Sequence, residues 1–334
     1  MISNEISSPL SRYAVMGNPI AHSKSPLIHT TFAQQTHQAL RYEAILVDTQ
    51  EGEFQQAVHT FQRTGGKGLN ITLPFKPIAW TLAELRSSRA ERAEAVNTLW
   101  FDDMGRKIGD NTDGVGLVRD LTTNHHCSLE GRRILILGAG GAVRGILEPL
   151  LQAHPEFCVI ANRTVAKAET LAELFATVGK VKASSYEHLR GQTFDLIING
   201  TSASLQGELP PLPPNLLLPE SWCYDMMYAS TATPFMRWAQ AQGATRVMDG
   251  LGMLVEQAAE SFFIWRGVMP ETASVIQTIR IYLQDTANPK QAPLSSTPLS
   301  FSADTKRSLE IGGPQGLEPT RYGDWEKQGR CIDF

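Results

Sequence analysis

Cysteine is scarce in this sequence: four occur in 334 residues, Cys127, Cys158, Cys223 and Cys331, widely spaced and without a CxxC pair. That pattern excludes a disulfide framework and makes reduced thiols the expectation. His125 and His126 adjoin Cys127, but successive side chains do not converge on one ion and no fourth spaced ligand follows, so the trio reads as a surface turn and no metal is expected. Long apolar runs are lacking as well, and none approaches a membrane span. The opening MISNEISSPLSRYAV has neither the basic stretch nor the apolar core of a secretion signal. A cytoplasmic protein with no membrane partner is the expectation. Positive charge is not in excess: 30 Lys and Arg against 34 Asp and Glu give a net charge of -4. Such a chain has no general field for a phosphate backbone, so nucleic acid is not an expected partner, although a local basic pocket for a small anion remains open.

What is present describes a globular enzyme. Hydrophobic residues make up 42% and charged ones 19%, with 27 Gly and 19 Pro marking many turns. At 334 residues the chain exceeds the size at which single cores stop growing, so two domains are expected. Tyr13 to Gly17 reads as a strand running into a GNP turn, and Ser25-Pro26 as a helix start with the serine as cap. A strand near Ala44 to Val47 and a helix from about Glu51 to Thr64 follow. Leu69 to Leu73 is a further strand, halted at Pro74 before another helix. Strands near Val96 to Phe101 and up to Asp110 precede a helix after Thr112.

A second module begins at Arg133. RILILGAGGAVRGILEPLL passes from an apolar strand through glycines into a helix, the order a phosphate cradle requires. FCVIAN supplies the second strand, and FDLIIN and WCYDMM later ones, FDLIIN nearly all apolar as in a buried parallel strand. Val165, Ala168, Leu171, Ala172 and Phe175 recur at helical spacing. Leu251, Leu254, Val255, Ala258, Ala259, Phe262 and Phe263 form one broad apolar face on a helix from Gly250 to Arg266, and a second helix runs from roughly Glu271 to Leu283. From Asp285 the chain turns rich in Pro, Ser and Thr, as a linker does.

In Gly138-Ala139-Gly140-Gly141-Ala142 the glycines permit a tight turn and close approach of a pyrophosphate to the amides of the next helix. Val143 stands at the third fingerprint position, so the match to GxGxxG is not strict. After the second strand come Asn162, Arg163 and Thr164 in place of the acid that would bind the ribose 2'-hydroxyl of NAD. Arg163, with Lys167 one turn later, suits a 2'-phosphate, so NADP is favoured. The bland alternative makes Arg163 and Lys167 solubilising residues on a helix edge.

AVMGNPIAHSKSP, NITLPFK, AVNT, GDNTDG, GAGGA, NRT and DGLGMLVEQA occur in this order. Together they resemble the shikimate dehydrogenase family over about residues 11 to 284. The resemblance implies a two-domain α/β fold: an N-terminal α/β substrate domain, residues 1–112 plus returning helices 250–284, with an inserted Rossmann-like NADP-binding domain, 113–249, and a mobile extension, 285–334. It implies 3-dehydroshikimate and shikimate as substrate and product, NADP(H) as coenzyme, and leaves a homodimer open. On matching motifs, Ser23, Ser25 and Tyr228 resemble ligands of the substrate carboxylate. Thr72, Asn97, Asp113 and Gln257 resemble residues that hold the ring hydroxyls, and Lys76 with Asp113 the catalytic pair. Gly250 of DGLG resembles a coenzyme contact. The chain departs from the family at Lys167, where many relatives carry arginine, and at NGTSAS, 199–204.

The chemistry asks for such a set in its own right. Hydride delivered to a ketone carbon drives negative charge onto the oxygen, and a cation beside that oxygen stabilises the transition state. Each residue alone has a plainer reading: Lys76 a solvated helix residue, Asp113 a turn residue, Ser25 a helix cap, Gln257 a partner for a buried backbone group. Two other functions compete: a quinate/shikimate dehydrogenase with broader substrate or NAD use, and a non-catalytic coenzyme-binding regulator, which would be expected to lose Lys76 or Asp113. The last segment, EIGGPQGLEPTRYGDWEKQGRCIDF, resembles succinate dehydrogenase assembly factor four over about residues 310 to 334. That likeness implies contact with the flavoprotein subunit of succinate dehydrogenase.

Overall fold

The computed structural model describes residues 10–201, 203 and 208–287; the N-terminal nine residues, residues 202 and 204–207, and the extension beyond 287 lie outside it. The first sheet contains β1 (Ser11–Gly17), β2 (Leu40–Leu46), β3 (Gly66–Ile71), β4 (Leu85–Arg86), β5 (Thr98–Phe101) and β6 (Lys107–Asp110), in the order β2-β1-β3-β5-β6-β4. β1 pairs in parallel with β2 and β3, whereas β5 runs antiparallel to β3 and β6. Alternation along each strand decides what covers it. Ala14, Met16, Leu69, Ile71 and Leu99 face Phe54, Val58 and Phe61 of α2 (Glu53–Arg63) and Ala79 of α3 (Lys76–Leu82). On the opposite face Tyr13, Val15 and Tyr42 cluster. This face meets α1 (Ser25–Gln35) and α9 (Leu251–Arg266), with Trp265 stacked on Tyr13 at a centroid distance of 4.8 Å.

The second sheet is wholly parallel among its six strands, β7 (Arg133–Leu137), β8 (Phe157–Ala161), β9 (Val181–Ser184), β10 (Phe194–Asn199), β11 (Leu217–Asp225) and β12 (Arg246–Asp249). Their order, β12-β11-β10-β7-β8-β9, reverses between β7 and β10, as in dinucleotide-binding Rossmann sheets. Both faces are buried. Ile134, Ile136, Cys158, Ile160, Leu196 and Ile198 face the core that includes α6 (Gly141–Gln152), α7 (Val165–Phe175) and α9. Leu135, Leu137, Val159 and Ile197 face Phe235 and Ala239 of α8 (Pro234–Ala241). This double burial explains the near-continuous apolar runs.

The short α4 (Ser88–Ala93) and α5 (Asp113–Arg119) connect the two sheets to one another. α5 lies against both α9 and α6. A Cβ on Gly116 would stand 2.8 Å from the Gln257 nitrogen, and one on Gly114 would stand 2.8 Å from the Gly145 carbonyl. Only glycine lets these helices cross so closely. The Arg144 guanidinium adds an ion pair to Glu94 (2.7 Å) and a bond to the Arg92 carbonyl (2.7 Å), tying α6 to the end of α4.

Several expectations are corrected. Ser25 is not the cap of α1 but its first residue, and its N–H donates to Ser23 Oγ at 3.2 Å. Cys127 is not at a surface turn: it is 2% exposed and belongs to the core, because the chain dips inward after a π-helical turn over Asp120–Asn124. The apolar stripe of α9 is wider than one face. Residues 251–259 are all buried, since sheet, α1 and α5 surround the helix, while Phe263 stands 44% exposed at its end. α10 (Ala273–Ala287) continues through Asp285, so the extension starts later than composition places it. Arg280 anchors this helix with paired bonds of 2.5 and 2.6 Å to Asp249. Among the described residues no helix is long and apolar enough to cross a membrane.

Candidate active site

The residues that the motifs single out in the first sheet converge where its strands end. NITLPFK leaves β3 at Ile71, turns, and starts α3 at Lys76 with Pro77 in its first turn. AVNT places Asn97 immediately before β5, where its carbonyl accepts from Ile71 N–H (2.8 Å). GDNTDG ends β6 and opens α5 at Asp113.

Lys76 Nζ donates to Asp113 Oδ2 at 2.7 Å, with side chains only 9% and 4% exposed. Asn97 Nδ2 donates to Asp113 Oδ1 at 2.6 Å. Asn97 Oδ1 accepts from the Thr112 backbone N–H at 2.9 Å and from Thr98 Oγ1 at 2.8 Å. Gln257 arrives from α9: its Oε1 lies 3.3 Å from Asn97 Nδ2, while its Nε2 donates to the Leu254 carbonyl at 2.8 Å. Gln257 thus serves a buried backbone group and joins the polar cluster together. Thr72 is buried beside them, and a Cβ on Gly17 would overlap its methyl group. Ser23 and Ser25 sit at the entry to α1. Tyr228 lies in the segment after β11, packed against the large core.

The Lys76 ammonium and the Asn97 amide each donate to one oxygen of the Asp113 carboxylate, so both oxygens of the buried acid have their own donor. Those donors leave the ammonium two further protons to direct at a ligand. Spacing within the motifs does not disclose Thr98, Asn111, Thr112 and Ser261, which complete the cluster. The first three stand inside quoted motifs, whereas Ser261 is marked only by its position one turn after Gln257.

The glycine turn follows β7. Gly138 has φ +105°, a conformation open to glycine, and its N–H donates to the Ala161 carbonyl at 2.8 Å. Cβ atoms added at Gly140 or Gly141 would meet nothing within 4 Å, so the cradle faces open space at the start of α6. The opening amides of a twelve-residue helix point there without intrahelical acceptors. β7 and β8 are adjacent with Leu137 opposite Ala161, so Asn162, Arg163 and Thr164 emerge at the same sheet edge as the glycines. Arg163, Thr164 and Lys167 are not buried, no acid stands among them, and the Thr164 side chain does not cap α7. Gly250 closes the turn after β12, donating to the Met227 carbonyl at 3.1 Å. In NGTSAS, Asn199 Nδ2 donates to Asp225 Oδ1 at 2.9 Å; Ser202 and Ser204 lie outside the described residues.

Known proteins match this arrangement along most of its length. The shikimate dehydrogenase (NADP(+)) of Alkalilimnicola ehrlichii is 62% identical over 269 residues, covering 80% of this chain and 98% of the relative. The chain belongs to the shikimate dehydrogenase family. Family models agree: the shikimate dehydrogenase substrate binding domain matches residues 15–99, shikimate / quinate 5-dehydrogenase 120–206, and the shikimate 5'-dehydrogenase C-terminal domain 250–280. Among solved structures, an Ael1 enzyme from Pseudomonas putida has 50% identity and a TM-score of 0.76, over 80% of this chain and 97% of that one. Shikimate 5-dehydrogenase from Thermus thermophilus, solved with NADP(H) and shikimate, has 33% identity and a TM-score of 0.72, over 82% of this chain and 100% of that one. The C-terminal resemblance is corrected by the same comparison. Residues 289–334 match the family described as protein of unknown function (DUF1674). That description assigns no assembly role, and the likeness to succinate dehydrogenase assembly factor four, with its flavoprotein contact, is withdrawn.

Proposed function

We propose that Lys76 and Asp113 are the reacting pair of this shikimate dehydrogenase, and that the side chains joined to them hold the substrate ring. The enzyme is an NADP-dependent oxidoreductase acting on a CH–OH group, which reversibly reduces 3-dehydroshikimate to shikimate. The observation that carries the site reading is the 2.7 Å contact of Lys76 Nζ with Asp113 Oδ2, buried among hydroxyl and amide groups. The glycine turn would hold NADPH, which when bound supplies the hydride. As the carbonyl carbon gains that hydride, its oxygen takes the bonding pair and becomes an oxyanion. The Lys76 ammonium faces this charge and is the group that protonates it. Asp113 fixes Nζ, and Asn97 fixes Asp113.

In this reading Thr72, Asn97, Asp113 and Gln257 bond the ring hydroxyls, and Ser23, Ser25 and Tyr228 take the carboxylate. Gly138, Ala139, Gly140, Gly141 and Ala142 receive the pyrophosphate, Asn162, Arg163, Thr164 and Lys167 the adenosine 2'-phosphate, and Gly250 approaches the coenzyme. Residues 1–112 with 250–284 form the substrate domain around the first sheet, and 113–249 the coenzyme domain around the second. We place the reaction in the cytoplasm, a compartment that suits three free cysteines among the described residues, with burial pushing the thiols of Cys158 and Cys223 up to about 12.

Steady-state kinetics with shikimate and quinate, each with NADP and NAD, test the assignment. Shikimate with NADP should have the highest kcat/KM, by roughly tenfold or more over each alternative. Equal use of quinate and shikimate would instead favour the broader enzyme.

A further inference from the structure

Behind Asn97, buried side chains form one line of hydrogen bonds through the first sheet. The Tyr42 hydroxyl donates to Asn70 Oδ1 at 2.7 Å, and Asn70 Nδ2 donates to Ser261 Oγ at 3.0 Å. Ser261 Oγ and Thr98 Oγ1 lie 2.7 Å apart, and Thr98 Oγ1 donates to Asn97 Oδ1 at 2.8 Å. Asn97 Nδ2 then donates to Asp113 Oδ1, whose other oxygen holds Lys76.

The direction of the bonds follows from the two ends together with Thr98 donating to Asn97, since the Thr98–Ser261 contact taken alone allows either hydroxyl to donate. A phenol facing an amide oxygen must donate, which turns the Asn70 amino group toward Ser261. The Thr112 backbone N–H can only donate, so Asn97 Oδ1 must face it and the amino group must face Asp113. Between them each hydroxyl has a single proton. Thr98 spends its proton on Asn97 and therefore accepts from Ser261. Two other acceptors lie near Ser261 Oγ, the Gln257 carbonyl at 3.0 Å and Thr112 Oγ1 at 3.3 Å, and both are farther away than Thr98.

We propose that Thr98 and Ser261 are positioning residues for the dehydrogenase reaction, a relay of fixed polarity that keeps the Asn97 amide turned to donate to Asp113. This rests on the reading of Lys76 and Asp113 as the reacting pair. Both residues are 0% exposed, so neither reaches a ligand; Thr98 acts on Asn97 directly and Ser261 acts on it through Thr98. Were the Asn97 amide reversed, its oxygen would oppose the carboxylate at the same short distance. The carboxylate would turn away and release Lys76.

Thr98→Val preserves the shape of the side chain and removes the donor, whereas Thr98→Ser preserves the donor. Thr98→Val should lower kcat by about tenfold or more with the KM for NADP unchanged, and Thr98→Ser should remain within about twofold of the parent. Ser261→Ala, which removes one oxygen, should lower kcat by roughly fivefold and provides the same readout if the valine variant does not fold. Unaltered kcat in Thr98→Val or Ser261→Ala overturns the relay. So does an equal loss in Thr98→Ser and Thr98→Val, which would assign the effect to packing. Lys76→Met measured alongside separates the two readings: full turnover there removes the reacting pair itself, whereas loss there with normal turnover in Thr98→Val removes only the relay.

Discussion

The imidazole of His29 lies flat against the Tyr42 ring, with centroids 4.2 Å apart and planes within 6° of parallel. Neither ring nitrogen has a hydrogen-bond partner, and the side chain is fully buried between α1 and α9. Burial holds the imidazole neutral and brings its pKa down to about 3, a fall that the nearby Asn70 side chain opposes only in part.

This contact makes the protein sensitive to acid. Unfolded, His29 gains a proton near pH 6.5; folded, it does so only near 3. Between those values the unfolded chain binds more protons, so stability is complete above pH 6.5 and declines as pH falls toward 3, by at most roughly 5 kcal/mol. Urea unfolding of the parent and of His29→Phe at pH 7 and pH 4.5 should show a much shallower decline in the variant. Equal declines would place the acid sensitivity elsewhere.

Lys76→Ala should lower kcat by roughly a hundredfold or more while shikimate binding weakens less, because the ammonium meets its full charge partner only in the transition state. Turnover within a factor of two of the parent would mean that another group does the chemistry. Asp113→Asn should be severe in both kcat and KM, since it unseats Lys76 and a ring contact together.

Arg163→Ala should raise the KM for NADP by roughly tenfold or more, the loss of a charge-assisted bond worth about 1.5 to 3 kcal/mol. The KM for NAD, which has no 2'-phosphate, should change little. Parallel changes for both coenzymes would remove Arg163 as the selecting residue.

Truncation after Ala287 retains the Arg280–Asp249 anchor and removes the segment that matches DUF1674. Shikimate kinetics should stay within about twofold of the full chain, since every residue assigned to the site lies before Ala287. A large loss of turnover would show that the extension belongs to the enzyme's working structure.

Much of this molecule is legible in its sequence because two periodicities carry it. The strand, turn and helix after Arg133 read directly, since a parallel strand buried on both faces must be apolar throughout. Motif order places Lys76, Asn97 and Asp113 on three separate segments, and the sheet brings those segment ends together. What escapes depends on contacts distant in sequence. Thr98 and Ser261 meet across 163 positions, and nothing local to either marks the bond. The pairs β4–α4 and α8–β12 leave no sequence signal because elements this short show too few turns or alternations to register. α9 reads as one-sided since small and polar residues, among them Gly252, Gln257 and Ser261, occupy the rest of its circumference, yet neighbours cover them too.

All six strands of the first sheet lie before residue 111, whereas α9, which shares with α1 the cover of its Tyr13, Val15 and Tyr42 face, begins at Leu251. On the ribosome that face must wait for the whole parallel sheet to be made, on the order of ten seconds at ordinary rates of synthesis. During this interval Tyr13 lacks Trp265, Asn97 lacks Gln257 and Thr98 lacks Ser261. The nascent chain therefore carries a finished sheet whose aromatic side has only α1 to cover it, and the part left for α9 is where premature self-association or chaperone capture would begin.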